Sequence, residues 1–186
     1  MGNRTTFTFG QIKIINSSAV MAEELVSNFY KMSAGQWLRP KYDIKTLVDL
    51  TPEEIVEGPF AQIIRYKGQP KDSSLGSATY DFYKICLQDH FILKVVNESA
   101  VITLLPFSLY IITHELIHIV RFSKFLQNFD ASPDEMLAEE SRVHHTTRKI
   151  LAPVRLQGLA SVLIFYEKWR HPFDDLRDPK ELENIP

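Results

Sequence analysis

From Phe107 to Phe129 the chain is apolar on almost every face of a helix, an arrangement that only the middle of a folded domain accommodates. The remaining elements therefore have to wrap this segment. With 186 residues, 45% of them hydrophobic and 24% charged, the chain has enough material for one compact domain with its own core. Residues 1–170 are expected to form that domain. Residues 171–186, acidic and carrying three prolines, are expected to be a loosely held tail.

Around the central helix the pattern predicts a mixed α+β fold. Residues 5–16 mix β-branched, aromatic and polar types with partial alternation, which predicts a strand, with Ser17 or Ser18 then capping a helix through Lys31. Thr51-Pro52-Glu53-Glu54 has the spacing of a capping box with Pro at the first helical position, so a short helix starts there and stops by Gly58-Pro59. Phe60 to Tyr66 reads as a strand and Lys67 to Ser77 as an exposed loop. Thr79–Leu87 and Phe91–Val96, separated by Gln88-Asp89-His90, predict an antiparallel hairpin, with a third short strand over Ala100–Leu104. A second capping box, Ser132-Pro133-Asp134-Glu135, launches a helix to about Leu151 before Pro153, and a last amphipathic helix covers about Val154 to Trp169.

The polar residues that interrupt the central helix carry the functional signal. His114 and His118 are four residues apart, about one turn, so both imidazoles can reach one ion from a rigid support. Glu115 follows the first histidine and sits about 100° around the helix, where it reaches a water beside that ion more easily than the ion itself. The pattern arises by chance in roughly one chain in a hundred of such composition, so its surroundings have to decide. Ile111, Ile112, Thr113, Leu116, Ile117, Ile119 and Val120 are all uncharged. Two imidazoles and a carboxylate buried among them without partners cost several kcal/mol, and a bound metal offsets that cost.

A catalytic zinc site usually takes three protein ligands and keeps one position open. On the helix that starts at Pro133, Met136, Leu137, Val143, Ile150 and Leu151 cluster on one broad face, with Glu140, His144 and Thr147 among them. Glu139 lies at the edge of that face and His145 points nearly the opposite way. Glu140 is therefore expected as third ligand, with Glu139 the fallback. His144 either stands beside the site, orienting a ligand or stabilising a developing oxyanion, or binds the metal as a fourth ligand. His145, His90 and His171 read as surface or turn histidines. Arg121 and Arg142 read as solvated or bridging between helices, and Phe122, Phe125, Phe165, Tyr166 and Trp169 as core or helix contacts.

His114-Glu115-Leu116-Ile117-His118 resembles the H-E-x-x-H of the zincin metallopeptidases, and the separate downstream Glu140 resembles the gluzincin branch. The continuation Ile119-Val120-Arg121-Phe122 departs from the metzincin pattern. The resemblance covers roughly residues 100–151. It implies a small zincin-like domain in which an antiparallel sheet lies beside a buried active-site helix, with a strand near the cleft. It also implies His114, His118 and Glu140 as zinc ligands and Glu115 as general base in peptide-bond hydrolysis. His144 stands where many gluzincins carry an acidic residue. The expected activity is that of a zinc metallopeptidase acting on a peptide or protein. The alternatives are a non-catalytic module holding metal through His114, His118, Glu140 and His144, and a redox metal such as iron in the same shell.

Charge and termini bound the remaining classes. A formal charge of -2 leaves no basic surplus for nucleic acid. No stretch approaches the ~20 apolar residues that span a bilayer, and the N-terminus lacks the apolar run of a signal peptide. The single cysteine, Cys86, predicts a reducing compartment and a buried apolar side chain, so a cytoplasmic location is expected. Met1 to Thr6 also fits the short myristoylation pattern M-G-x-x-x-[ST]. Oligomeric state is not legible in these residues.

Overall fold

Helix α3, Leu104–Ser123, runs through the middle of the molecule, and fifteen of its twenty residues are buried. The computed structural model describes residues 4–33, 41–68, 80–128 and 132–174, and within them the chain is α+β: five helices and a three-stranded mixed sheet. In chain order the other elements are α1 (Phe9–Tyr30), β1 (Lys41–Lys45), β2 (Ala61–Gly68), β3 (Tyr80–Leu87), α2 (Asp89–Glu98), α4 (Pro133–Leu151) and α5 (Leu159–Asp174). Single 3₁₀ turns occur at Leu47–Asp49 and Pro52–Glu54. Helices α1, α2, α4 and α5 and strand β2 all contact α3, so it ends up enclosed as its composition requires. Its apolar run stops at Ser123 rather than at Phe129, which lies outside the described residues.

Helix α1 replaces the strand expected over residues 5–16. Thr8 and Gln11 form a capping box: the Gln11 amide donates to the Thr8 hydroxyl (3.3 Å) and the Thr8 amide to the Gln11 side chain (2.8 Å). From there Ile15, Ser18, Ala22 and Val26 recur at helical spacing and are buried. Ser18 is not a cap. Its hydroxyl lies 2.6 Å from that of Ser108 on α3, and these small residues let the two helices approach closely. Burial of this stripe outweighs the strand preference of Ile12, Ile14 and Ile15.

The sheet has the order β1-β3-β2, with β1 parallel and β2 antiparallel to the central strand. The expected antiparallel sheet is thus corrected to a mixed one. Ile85 of β3 faces Ile44 on one side and Ile63 on the other. Tyr83, Ile85, Cys86 and Leu87 are all buried, so both faces of β3 are covered and Cys86 is the enclosed apolar side chain expected of it.

The expected second hairpin strand, Phe91–Val96, is helix α2 instead. The buried Asp89 carboxylate accepts from the Phe7 and Leu47 amides, each at 3.0 Å. Those two long-range bonds hold residues 88–90 as a helix start rather than a turn, and Ile92 and Leu93 then face the core. No strand forms over Ala100–Leu104: Ile102 is buried in a connecting segment and Leu104 opens α3.

Some of the remaining expectations hold and others shift. The Thr51 capping box opens only a single turn, β2 and β3 form, and Ser132 with Glu135 caps α4, which runs to Leu151. Met136, expected on the inner face of α4, is exposed. The last helix begins at Leu159, five residues later than expected, and continues through His171 to Asp174, so the expected boundary at residue 171 falls inside it. Lys67 and Gly68 close β2. Most of the expected loop through Ser77, the tail beyond residue 174 and the Met1-Gly2-Asn3 start lie outside the described residues. Among the described residues no helix is long and apolar enough to cross a membrane.

Candidate metal centre

Four residues at intervals of four line one stripe of α3: Tyr110, His114, His118 and Phe122. Their rings follow one another along the helix, with the Tyr110 and His114 planes within 19° and those of His118 and Phe122 within 23°. Helix α4 crosses this stripe and delivers Glu140. Its carboxylate lies 2.9 Å from His114 Nε2 through Oε1 and 3.2 Å from His118 Nε2 through Oε2, while the two Nε2 atoms are 3.2 Å apart. Among the described residues, the donor atoms of His114, His118 and Glu140 lie within 4.8 Å of one another.

The spacing of this donor set suits a zinc ion. Nitrogen and oxygen ligands about 2.0–2.1 Å from a tetrahedral ion are about 3.3 Å from each other. Separations of 2.9–3.2 Å match that value closely enough for small side-chain adjustments to complete the shell. His118 is also prepared for such a role. Its Nδ1 meets Gln127 Oε1 at 3.1 Å, and an N–H there leaves the Nε2 lone pair facing His114 and Glu140. Among the described residues His114 Nδ1 is buried without a partner, and the His144 ring packs 4.3 Å away between centroids.

The electrostatics follow from burial around one carboxylate. Burial alone would raise Glu140, but the charge of His114 and hydrogen bonds from His114, His118 and His144 hold it well below the usual carboxylate range. Burial pushes His114 down to about 4. Burial also opposes the charged form of His118, yet its hydrogen bonds to Glu140 and Gln127 and the charges of Glu140 and Glu115 raise it above its ordinary value. Glu115 is half-buried, and desolvation pushes its carboxyl up to about 7.

His144 stands beside the three donors rather than among them. Its Nε2 is 3.3 Å from Glu140 Oε1 and its Nδ1 is 2.8 Å from the Tyr110 hydroxyl. If the phenol donates to Nδ1, the imidazole carries its proton on Nε2 and donates it toward Glu140. Tyr110 lies flat on Tyr166, at 3.7 Å and 11°.

Glu139, the fallback ligand, points elsewhere. It is 4% exposed and bonds both Arg121 and Arg142; the Arg121 Nη2 to Glu139 Oε2 distance is 3.1 Å. Arg121 therefore bridges helices, as expected of it, and it also interacts with Tyr30 of α1. His145 is exposed, whereas His90, expected as a surface or turn histidine, lies in the first turn of α2 with both ring nitrogens enclosed and without partners among the described residues. Phe125, expected as a core or helix contact, is 94% exposed.

Three participants had not been singled out for the site. Tyr110 carried a signal, its spacing of four before His114. Tyr166 carried only an apolar one. Gln127 carried none, because it reaches His118 through a tight reversal after α3, where Phe125 adopts φ 55° and the Leu126 amide bonds Arg121 O at 2.9 Å.

A cavity of about 380 Å³ opens beside the donors. His114, Glu115, Glu140 and His144 form its polar end, and Pro59, Phe60, Ala61, Ile111, Tyr110 and Tyr166 form much of the rest. No protein-family model matches the chain, and no curated protein or solved structure matches it either.

Proposed function

We propose that the chain is a zinc-dependent metallopeptidase with His114, His118 and Glu140 as metal ligands and Glu115 as general base. The observation that carries this reading is the convergence of two Nε2 atoms and one carboxylate within 2.9–3.2 Å, beside a cavity that Glu115 also lines. A zinc ion bound there supplies Lewis acidity, polarising a carbonyl and making water easier to deprotonate.

The chain's own groups do the rest. Glu115, with its carboxyl pushed up to about 7 by burial, is a base matched to neutral pH. It takes one proton from the attacking water; the water oxygen bonds to the carbonyl carbon; the C–N bond then breaks as Glu115 returns the proton to the departing amine. His144 lines the same cavity with Nδ1 beside the Tyr110 hydroxyl and Nε2 facing Glu140 Oε1, so it orients the ligand carboxylate.

A three-donor set beside a cavity favours this reading over a closed four-ligand site, since His144 is not in the group whose donor atoms all lie within 4.8 Å of one another. The test is elemental analysis of the purified protein beside His118→Ala and Glu140→Ala, followed by peptide cleavage by wild type and Glu115→Gln. About one zinc per chain, lost in the first two variants, and cleavage abolished with zinc retained in Glu115→Gln are expected. A folded wild type that takes up no metal would overturn the metal site. Cleavage that survives Glu115→Gln would overturn the mechanism.

A further inference from the structure

We infer that the cavity beside the donors is a recognition pocket for an uncharged aromatic side chain next to the bond to be cut, an assignment that rests on the peptidase reading above. Three aromatic side chains contribute to its wall, and packing holds them in place. Phe60 meets Phe107 edge-on at 5.0 Å and lies 6.4 Å from both Phe165 and Tyr166, and Tyr166 lies flat against Tyr110. Ala61 and Ile111 complete an apolar surface without adding hydrogen-bonding side chains. The volume, about 380 Å³, falls among cavities that enclose small organic groups and is ample for a six-membered ring.

Charge selects further. Among the described residues no lysine or arginine lines this cavity, while Glu115 and Glu140 do. In the zinc-free protein an acidic side chain or a free C-terminal carboxylate entering here would lose its water and face two carboxylates. The pocket thus suits phenylalanine or tyrosine within a peptide chain.

The test measures binding of N-acetyl-phenylalanine amide, N-acetyl-alanine amide and N-acetyl-aspartate amide by NMR titration of the full chain, with and without zinc, in wild type and in Ala61→Phe. Burying a ring rather than a methyl group corresponds to about a hundredfold in affinity. In the zinc-free protein the phenylalanine probe is expected to bind about that much more tightly than the alanine probe, with the aspartate probe weakest and the preference lost in Ala61→Phe. Equal binding of the three, or a preference that persists in folded Ala61→Phe, would overturn the pocket assignment. Should Ala61→Phe fail to fold, Ile111→Ala replaces it; enlarging the wall is expected to move the preference toward N-acetyl-tryptophan amide, and an unchanged ranking would overturn the assignment. A preserved ranking in protein that binds no zinc would leave the pocket standing and remove the peptidase reading. Zinc-dependent cleavage with no preference for aromatic residues would do the reverse.

Discussion

Two adjacent carboxylates on α4 are expected to respond to removal in opposite ways, and Glu139 gives the sharper test. It is 4% exposed, the Arg121 side chain is 13% exposed, and two contacts join them. Arg142, with its side chain 56% exposed, adds at most about 1 kcal/mol. Removing one partner of a buried ion pair costs about 3–5 kcal/mol, and the residual access of Arg121 to water reduces this to roughly 2–4 kcal/mol. For a domain of this length 1 kcal/mol corresponds to about 2–4 °C in Tm, so Glu139→Ala is expected to lower Tm by roughly 5–15 °C. Glu139→Gln keeps one oxygen for Arg121 and is expected to lose about half as much.

Zinc stoichiometry, measured by elemental analysis at saturating metal, should remain near one in both variants. Glu140→Ala should do the converse for the metal: zinc is lost, and the metal-free protein melts lower only by what the contacts of His114, His118 and His144 to this half-exposed carboxylate contribute. The double variant Arg121→Met, Glu139→Leu removes both charges and should recover most of the stability. The reasoning fails if Glu139→Ala melts with the wild type, or if it loses zinc while remaining folded.

Gln127→Ala removes the partner of His118 Nδ1 and is expected to weaken zinc binding about 10–100-fold in a chelator competition; unchanged affinity would show that packing alone orients that ring. Tyr110→Phe leaves His144 Nδ1 without its 2.8 Å partner while keeping the stacked ring on Tyr166, so stability should fall by about 1 kcal/mol in urea melts with zinc unchanged. If His144 acts on the substrate, the same variant should lower kcat at least tenfold with little change in KM, and equal losses in both would argue against that role. The Glu54 carboxyl, held down to about 2 chiefly by Lys84 at 2.6 Å, contributes stability that is present above its unfolded value of 4.5 and lost as pH falls toward 2. Urea midpoints of wild type should therefore drop between those values more steeply than those of Glu54→Gln, and parallel curves would refute the linkage.

The candidate site was more legible in the sequence than the elements around it, for physical reasons. His114 and His118 meet because of helix geometry, which needs no knowledge of the rest of the fold. Glu140 was found because a carboxylate among Val143, Ile150 and Leu151 has to face inward. The same argument misplaced Glu139 at an edge and Met136 inside, because a face drawn from hydropathy does not see that two arginines enclose the one and nothing covers the other. Phe91–Val96 has the residue types of a strand, and only Asp89, bonded to amides 82 and 42 residues away, makes it a helix. In α1 the signal was local but contradicted, since the Thr8 and Gln11 capping box opens a run of isoleucines whose own preference is extended. The position of Gln127 follows from a left-handed residue at Phe125, a conformation its side chain does not advertise.

The two neighbouring glutamates also set the phase of α4. One is clamped by guanidinium groups and the next is offered to imidazoles, about 100° further round the same cylinder. Sliding the helix by one residue would bring the wrong carboxylate to each address. A single-residue insertion within α4 ahead of Glu139 is therefore expected to release anchor and ligand together, whereas extra residues in the segment before Ser132 leave the phase intact. The ion pair acts as an indexing pin, so the helix that presents Glu140 has one rotational setting.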